Sequence, residues 1–330
     1  MRKVELVNAH IRQLREELVK INSSMLHEFP IDRYIQSVES YRERYRYNYI
    51  APTIKSMLND IQARYNAHAL ALYHKLTLSS LIKRSIPNLN RNSFPESISD
   101  LYQEWFDRVL GEFSTLPDEY YSHQNDEFLK DLAGCSLRII PIGGAWIVEI
   151  SGIGRRFLLT GGFQQFIKGG WFALMKMGGF ASFYQIHVVK RYLHGFNPEE
   201  RIRCYLRISE LLRQNPRIRG MFGESWYYDP TLRDISPRLL YLREIAEQCG
   251  AKVFRLGTSQ SDIDNALAKS ATRRRLYREK VYTPAAYLLI WPRKALMKWA
   301  ETQRAADHSS AINTPHRFRE RVFSLIKDCI

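Results

Sequence analysis

The spacing of the apolar residues changes near residue 120, and this change constrains the fold more than any other feature of the sequence. Before it, apolar side chains recur every three or four residues, as at Ile11, Leu14 and Leu18, which is the period of an amphipathic helix. After it, short runs of β-branched and aromatic residues alternate with helical stretches of ten or more residues. We predict an all-helical N-terminal region over residues 1–120 and an α/β domain of the α+β kind over 121–330, with a mixed sheet flanked by helices.

Local signals place single elements in the N-terminal region. One apolar stripe begins at Ile54, just after Pro52, and is expected to continue as a single helix through Leu72. Pro87 is expected to end helical structure and to open a linker, after which Ser97 would cap the next helix.

In the C-terminal region, residues 183–189, 218–228, 251–257 and 285–291 have the composition of strands. The SGIG sequence at 151–154 is expected to be a hairpin turn between two strands. A nucleotide-binding glycine loop would instead be followed by a long helix, which RRFLLTGG does not resemble.

The charge balance points to an anionic partner. Forty-nine Lys and Arg against thirty-four Asp and Glu give a net charge of +15. A positive field of this size favours encounters with nucleic acid, an acidic membrane surface or a phosphorylated cofactor, and charge alone does not choose among them. With 45% apolar residues in 330, the chain is long enough and apolar enough for a core, which excludes intrinsic disorder and a disulfide scaffold.

Compartment signals are all negative. The longest stretch without Asp, Glu, Lys or Arg, residues 177–189, is thirteen residues long, shorter than a membrane-spanning helix. The N-terminus does not resemble a signal peptide, so we expect a cytoplasmic protein without a transmembrane segment. We expect reduced thiols and no metal site, because the four cysteines are never closer than 45 residues; they are Cys135, Cys204, Cys249 and Cys329.

After the predicted strand 218–228, several residues follow in a characteristic order: Asp229-Pro230, Arg233, Leu239-Leu240 and Gly250-Ala251, and further on Ser270, Tyr277 and Tyr282. Over residues 180–295 this order resembles the GNAT acyltransferase superfamily. In that family a strand and a Pro step lead into a phosphate loop, a helix with paired leucines, a Gly-Ala step and another strand. The family's Asn, Tyr and Phe signature positions correspond to Ser270, Tyr277 and Tyr282.

The resemblance implies a thioester donor, either acyl-CoA or an acyl carrier protein, whose acidity would suit the basic chain. This sequence lacks the glycines of the family's phosphate loop, so we expect donor binding through Arg233, Ser236 and Arg238. An alternative for Ser236 is a helix cap, with Pro237 at the first helical position.

The implied chemistry is acyl transfer to an amine acceptor. It requires a base for the amine proton and an acid for the leaving thiolate. Glu224, in the predicted strand 218–228, is the candidate base, and Tyr277 is the candidate acid. The resemblance also implies that strands 218–228 and 251–257 are parallel neighbours, separated by a gap that admits the pantetheine arm of the donor.

The alternative hypothesis is a non-enzymatic basic protein that binds nucleic acid or a protein partner. Two runs are consistent with it: 41–49, in which Tyr alternates with Arg, and Arg273 to Arg275 followed by Arg278. Both are also explained by ordinary packing or solvated helix faces. His187 has no metal-ligand partner at suitable spacing, so a core or interface role is preferred to a catalytic one.

Residues 161–183 are dominated by Phe, Trp, Leu and Met. Such a segment suits a membrane surface or a tunnel for an acyl chain. The glycine pairs beginning at 161, 169 and 178 argue against one continuous amphipathic helix. They favour a buried connection broken at the glycines.

Overall fold

The computed structural model describes residues 2–41, 46–89, 94–180 and 182–311. Cys329 and residues 42–45 of the Tyr/Arg run 41–49 therefore lie outside the described residues. The chain forms two compact units. Unit 1 contains Met1–Glu149 and Val188–Gly195, and unit 2 contains Ile150–His187 and Phe196–Ile330.

Unit 1 is helical up to Cys135, and a β-hairpin follows. Its elements are α1 (Arg2–Ile21), α2 (Met25–Glu28), α3 (Ile31–Ser40), α4 (Pro52–Tyr65), α5 (Ala67–Leu89), α6 (Glu96–Gly111), α7 (Asp126–Cys135), β1 (Ile139–Gly143) and β2 (Trp146–Ser151). Helix α5 is the centre of the bundle, because most of its residues are buried and α1, α3, α4 and α7 all pack against it.

Three local expectations for this unit are wrong. The stripe predicted as one helix is two, because Asn66 has φ +88° and ends α4 there. Pro87 does not end the following helix, since α5 continues to Leu89. The next helix begins at Glu96 with Pro95 as its N-cap residue, so Ser97 lies inside its first turn.

The glycine turn of the hairpin also differs from the sequence-based expectation. Strands β1 and β2 are antiparallel, and Gly143 pairs with Trp146 across a tight turn at Gly144. Both glycines have positive φ, which L side chains rarely adopt. The predicted hairpin at 151–154 is absent: after β2 the chain enters a short helix at Phe157, not a strand.

The core of unit 1 contains a histidine without hydrogen-bond partners. His74 of α5 is fully buried, its ring lies 4.5 Å from that of Phe128, and neither ring nitrogen has a partner. Burial, together with the smaller effect of the nearby His123, lowers the pKa of His74 to about 3. The folded protein therefore holds this imidazole neutral well below the pH at which it would gain a proton in the unfolded chain.

We expect His74 to make unit 1 acid-sensitive. Because the folded pKa is below the unfolded value, its contribution is complete above about pH 6.5 and is lost as the pH falls towards 3. Between pH 7 and pH 5 the free energy of unfolding should fall by about 2 kcal/mol from this group. In urea unfolding, the free energy of unfolding of His74→Leu should not show this fall of about 2 kcal/mol between pH 7 and pH 5. The control His27→Leu, at an exposed position, should show it as the unchanged protein does. Equal pH dependence in both variants would contradict the assignment.

Unit 2 has sheet and helices in three layers. Its elements are α8 (Phe157–Thr160), α9 (Gly162–Phe172), β3 (Phe183–Val188), α10 (Pro198–Gln214), β4 (Gly220–Ser225), α11 (Leu232–Ile235), α12 (Tyr241–Gln248), β5 (Lys252–Gly257), α13 (Gln260–Leu267), α14 (Ala271–Arg278), β6 (Ala286–Pro292) and α15 (Arg293–Ala311). A π-helical turn, Ala173–Met177, continues α9. The predicted α+β class with a mixed sheet is confirmed, and so are the four predicted strands.

The strand order in unit 2 is β3-β4-β6-β5. Strands β3 and β4 are parallel, whereas β6 is antiparallel to both β4 and β5. The expectation that the strands at 218–228 and 251–257 are neighbours is therefore wrong, because β6 lies between them. The first of these strands also ends early, since Trp226–Tyr228 form a 3₁₀ turn.

Each face of this sheet carries a different core. On one face, Phe183, Phe222, Phe254 and Leu288 pack against Phe157 and Phe172 of α8 and α9. On the other face, the ring of Trp291 in β6 lies 5.0 Å from that of Tyr205 in α10 and 5.2 Å from that of Trp299 in α15. Within the described residues, no helix is long and apolar enough to cross a membrane.

Candidate functional site

Strands β3 and β4 diverge after a very short parallel ladder. They pair only at Tyr184 with Met221 and at Gln185 with Phe222. On its other side β4 remains paired with β6 over its whole length, as far as Ser225 opposite Tyr287. The ladder between β3 and β4 has no residue pair beyond Gln185 and Phe222. We call the region between the last residues of the two strands the β3/β4 gap.

One face of the sheet presents polar side chains at the β3/β4 gap. Because side chains alternate along a strand, Gln185 and His187 share the face of Phe183, and Glu224 shares the face of Phe222. Continuing the register beyond the ladder brings His187 opposite Glu224. Gln185 is buried and its Oε1 has no hydrogen-bond partner, while Glu224 is exposed.

The opposite face of the gap is filled by a tyrosine. A Cβ atom added to Gly223 would lie 2.5 Å from the Tyr228 hydroxyl oxygen and 2.9 Å from Cγ2 of Ile186, so only glycine allows this close approach. The fully buried Arg201 of α10 donates a hydrogen bond to the Tyr228 hydroxyl at 3.1 Å. The gap is therefore closed towards α10 and polar towards the Glu224 face.

The residues predicted to bind the donor lie in the segment after β4 and already have protein contacts. Arg233 forms an exposed ion pair with Glu244 at 2.9 Å. Ser236 is buried and accepts a hydrogen bond from Arg273 at 2.9 Å. As the alternative expected, it stands at the N-cap position of a short 3₁₀ helix that begins at Pro237, although its side chain makes no capping hydrogen bond. Arg238 is exposed. Their role in donor binding remains a prediction.

The basic run at 273–275 is divided by the fold. Arg273 is buried, its guanidinium lies 4.6 Å from the centre of the Trp226 ring, and burial lowers its pKa. Arg274 donates to the carbonyl oxygens of Leu267 and Ala268. Arg273 and Arg274 therefore contribute to the packing of α13 against α14, while Arg274, Arg275 and Arg278 are exposed to solvent.

The two signature tyrosines have different environments. Tyr277, the candidate acid, is half-buried on α14. Tyr282 is buried, its hydroxyl has no hydrogen-bond partner, and burial together with the charge of Asp229 raises its pKa. Of the pair, only Tyr277 is accessible enough to meet a ligand without rearrangement, and its role as an acid remains a prediction.

Two further features bear on what this unit can bind. A groove of about 700 Å³ lies between α9 and the edge strand β5, but β4 and β6 separate it from β3 and so from the gap. Within the part of the chain that the structure describes, no group of three or more His, Cys, Asp or Glu side chains is placed to hold a metal ion.

No family model, curated protein or solved structure matches this chain significantly. A functional assignment therefore depends on the chemistry of the β3/β4 gap. Sequence reasoning identified Glu224 but did not bring His187 next to it. The signal that could have done so is that His187 and Glu224 each lie four residues after the first residue of their strand, Phe183 and Gly220, and this is meaningful only once β3 and β4 are known to be parallel.

Proposed function

We propose that unit 2 is an N-acyltransferase that moves an acyl group from a thioester donor to an amine. The observation that supports this most is the β3/β4 gap. The GNAT superfamily that the sequence resembles admits the pantetheine arm of its donor between two splayed strands. A parallel pair that is zipped for two residues and then separates offers such an entrance.

In this proposal the donor site lies one strand earlier than the sequence resemblance placed it. The resemblance implied strands 218–228 and 251–257 as the splayed pair, but β6 separates them. The parallel pair is β3 and β4, with α10 between them in the chain. The donor arm would then run along the Glu224 face of the gap, because Tyr228 and Ile186 occupy the other face.

The groups at the gap suit the steps of acyl transfer. The amine nitrogen attacks the thioester carbonyl, the C–N bond forms and the C–S bond breaks. Glu224, with His187 opposite it, would take the proton that the amine loses. The oxyanion that forms at the thioester carbonyl also requires hydrogen-bond donors at the gap. Tyr277 is the proposed proton source for the leaving thiolate.

Hydrogen exchange with a bound donor tests this placement. Acetyl-CoA, a long-chain acyl-CoA and an acyl carrier protein should be compared, with release of free thiol measured in the presence of amines. We expect the donor that supports release to slow amide exchange at Ile186, His187 and 223–225, and to leave the β5/β6 ladder unchanged.

Two outcomes would contradict the proposal. If the donor slowed amide exchange only at residues 229–240, the donor site would be the loop that contains Arg233 and Arg238, and the gap would not bind the donor. Absence of both binding and thiol release with all three donors would leave the non-enzymatic binding protein as the better hypothesis.

A further inference from the structure

Unit 2 exposes a continuous row of large apolar side chains along α8, α9 and the π-helical turn. We call it the apolar ridge; it consists of Leu159, Phe163, Phe166, Ile167, Trp171, Leu174 and Met175. Leu174 is 81% exposed, Phe163 78% and Trp171 58%. Their spacing of three and four residues places them on one side of the helix. Exposed apolar groups scattered singly are ordinary, but a contiguous row is characteristic of a binding surface.

The ridge is held in place by the fold. The expectation of a buried connection broken at glycines is wrong, because Gly162–Met177 is one helical segment with its outer side exposed. Gly169 allows the helix to approach the core closely, since a Cβ there would lie 2.9 Å from Leu158. Gln165 holds the edge strand through both amide atoms, accepting from the N–H of Arg255 at 2.9 Å and donating to its carbonyl at 2.8 Å. The helix is therefore apolar on its inner and its outer side.

The charges of the chain segment that carries the ridge are all of one sign. Residues 150–198 contain no Asp or Glu. The segment that carries the ridge has four exposed cations, Arg155, Arg156, Lys168 and Lys176. The Lys176 ammonium lies 6.0 Å from the centre of the Trp171 ring. An occupant of this surface must accept apolar side chains and carry negative charge beside them.

We propose that the apolar ridge binds the surface of an anionic lipid membrane. Large apolar side chains enter the boundary between headgroups and acyl chains, tryptophan prefers that depth, and lysine and arginine contact the anionic headgroups. A second copy of the chain is a poorer occupant, because each of the two surfaces carries four cations and these would repel one another. The proposal does not depend on acyltransferase activity.

Flotation of the full chain with vesicles tests the proposal. We expect binding to phosphatidylcholine vesicles that contain phosphatidylglycerol, and much weaker binding to phosphatidylcholine alone. Phe163→Ser combined with Leu174→Ser should weaken binding by about tenfold or more. Val281→Ser is the matched control, since Val281 is also exposed, at 71%, but lies away from the ridge. Thermal melting should show that all these variants remain folded.

Charge variants test whether the cations of the segment contribute to membrane binding. Lys168→Glu with Lys176→Glu should reduce binding to the anionic vesicles by about tenfold or more, because each cation near such a surface contributes about fivefold. Arg213→Glu with Arg217→Glu changes the net charge equally at two exposed positions outside the segment 150–198 and should have a smaller effect. Brominated lipids should quench the fluorescence of the protein, and Trp171→Phe should remove most of that quenching.

Three results would overturn the proposal. One is absence of binding to anionic vesicles. Another is an equal loss of binding in Val281→Ser and in the double ridge variant. The third is a dimer in the absence of lipid that the ridge substitutions dissociate, which would make a second copy of the chain the occupant.

Discussion

Glu224→Gln is expected to lower the turnover of acyl transfer by about 10²-fold to 10⁴-fold, the range that general-base catalysis contributes. The amide keeps the size and polarity of the side chain but cannot take a proton from the amine. Glu224 is exposed at the end of β4, so the substitution should not disturb the core. The donor affinity should be unchanged, so the whole effect should appear in kcat, measured by thiol release at saturating donor and amine.

Glu301→Gln is the matched control, because Glu301 is an exposed carboxylate on α15 of the same unit. It should leave turnover and donor affinity unchanged. If Glu224→Gln retained full turnover while donor binding at the β3/β4 gap was confirmed, the base would have to be another group on that face, with His187 the next to test. If donor affinity fell instead, Glu224 would be a binding residue.

Gly220→Ala is expected to have the largest effect on stability. Gly220 begins β4 with φ +147°, and a Cβ there would overlap the carbonyl oxygen of Trp291 and lie 2.8 Å from the backbone nitrogen of Arg293. Both atoms belong to backbone that is fixed by the β4/β6 ladder and the start of α15, so neither can move without loss of pairing. We expect unfolding, or a fall in Tm of more than about 10 °C.

Gly257→Ala separates the clash from the backbone conformation. Gly257 also has positive φ, +116°, but nothing lies within 4 Å of an added Cβ. Gly257→Ala should lower the free energy of unfolding by only about 1–2 kcal/mol, the cost of placing an L side chain at a positive φ. Similar losses in both alanine variants, measured by thermal and urea unfolding, would show that the start of β4 can relax away from β6.

The sequence predicted the elements of unit 2 better than their neighbours in space. Helix α10, for example, begins where local signals indicate, because Asn197 caps it and Pro198 suits its first position. Strand β6 could not be placed between β4 and β5, since it follows β4 by some sixty residues and nothing local marks that pairing. The splayed strand pair that the resemblance implies was therefore expected between two strands that β6 separates.

The sequence also did not indicate which neighbours a given side chain would contact. Glu224 was found because it ends a recognisable strand. The run Arg273 to Arg275 was expected as one cationic group, yet Arg273 lies over Trp226 and binds Ser236, residues that are distant in sequence. The glycines at 169 and 170 were expected to break a helix. In the structure the helix continues through them, and the missing side chain of Gly169 allows the helix to lie close to Leu158.

The unequal attachment of β4 to its two neighbours has a mechanical consequence. Six residue pairs join β4 to β6, but only two join it to β3. A molecule that enters between β3 and β4 meets at most these two residue pairs and none of the pairs that hold the β4-β6-β5 plate together. Substitutions that lengthen or shorten the ladder at Ile186 should therefore tune how wide the entrance opens while leaving the stability of the plate unchanged.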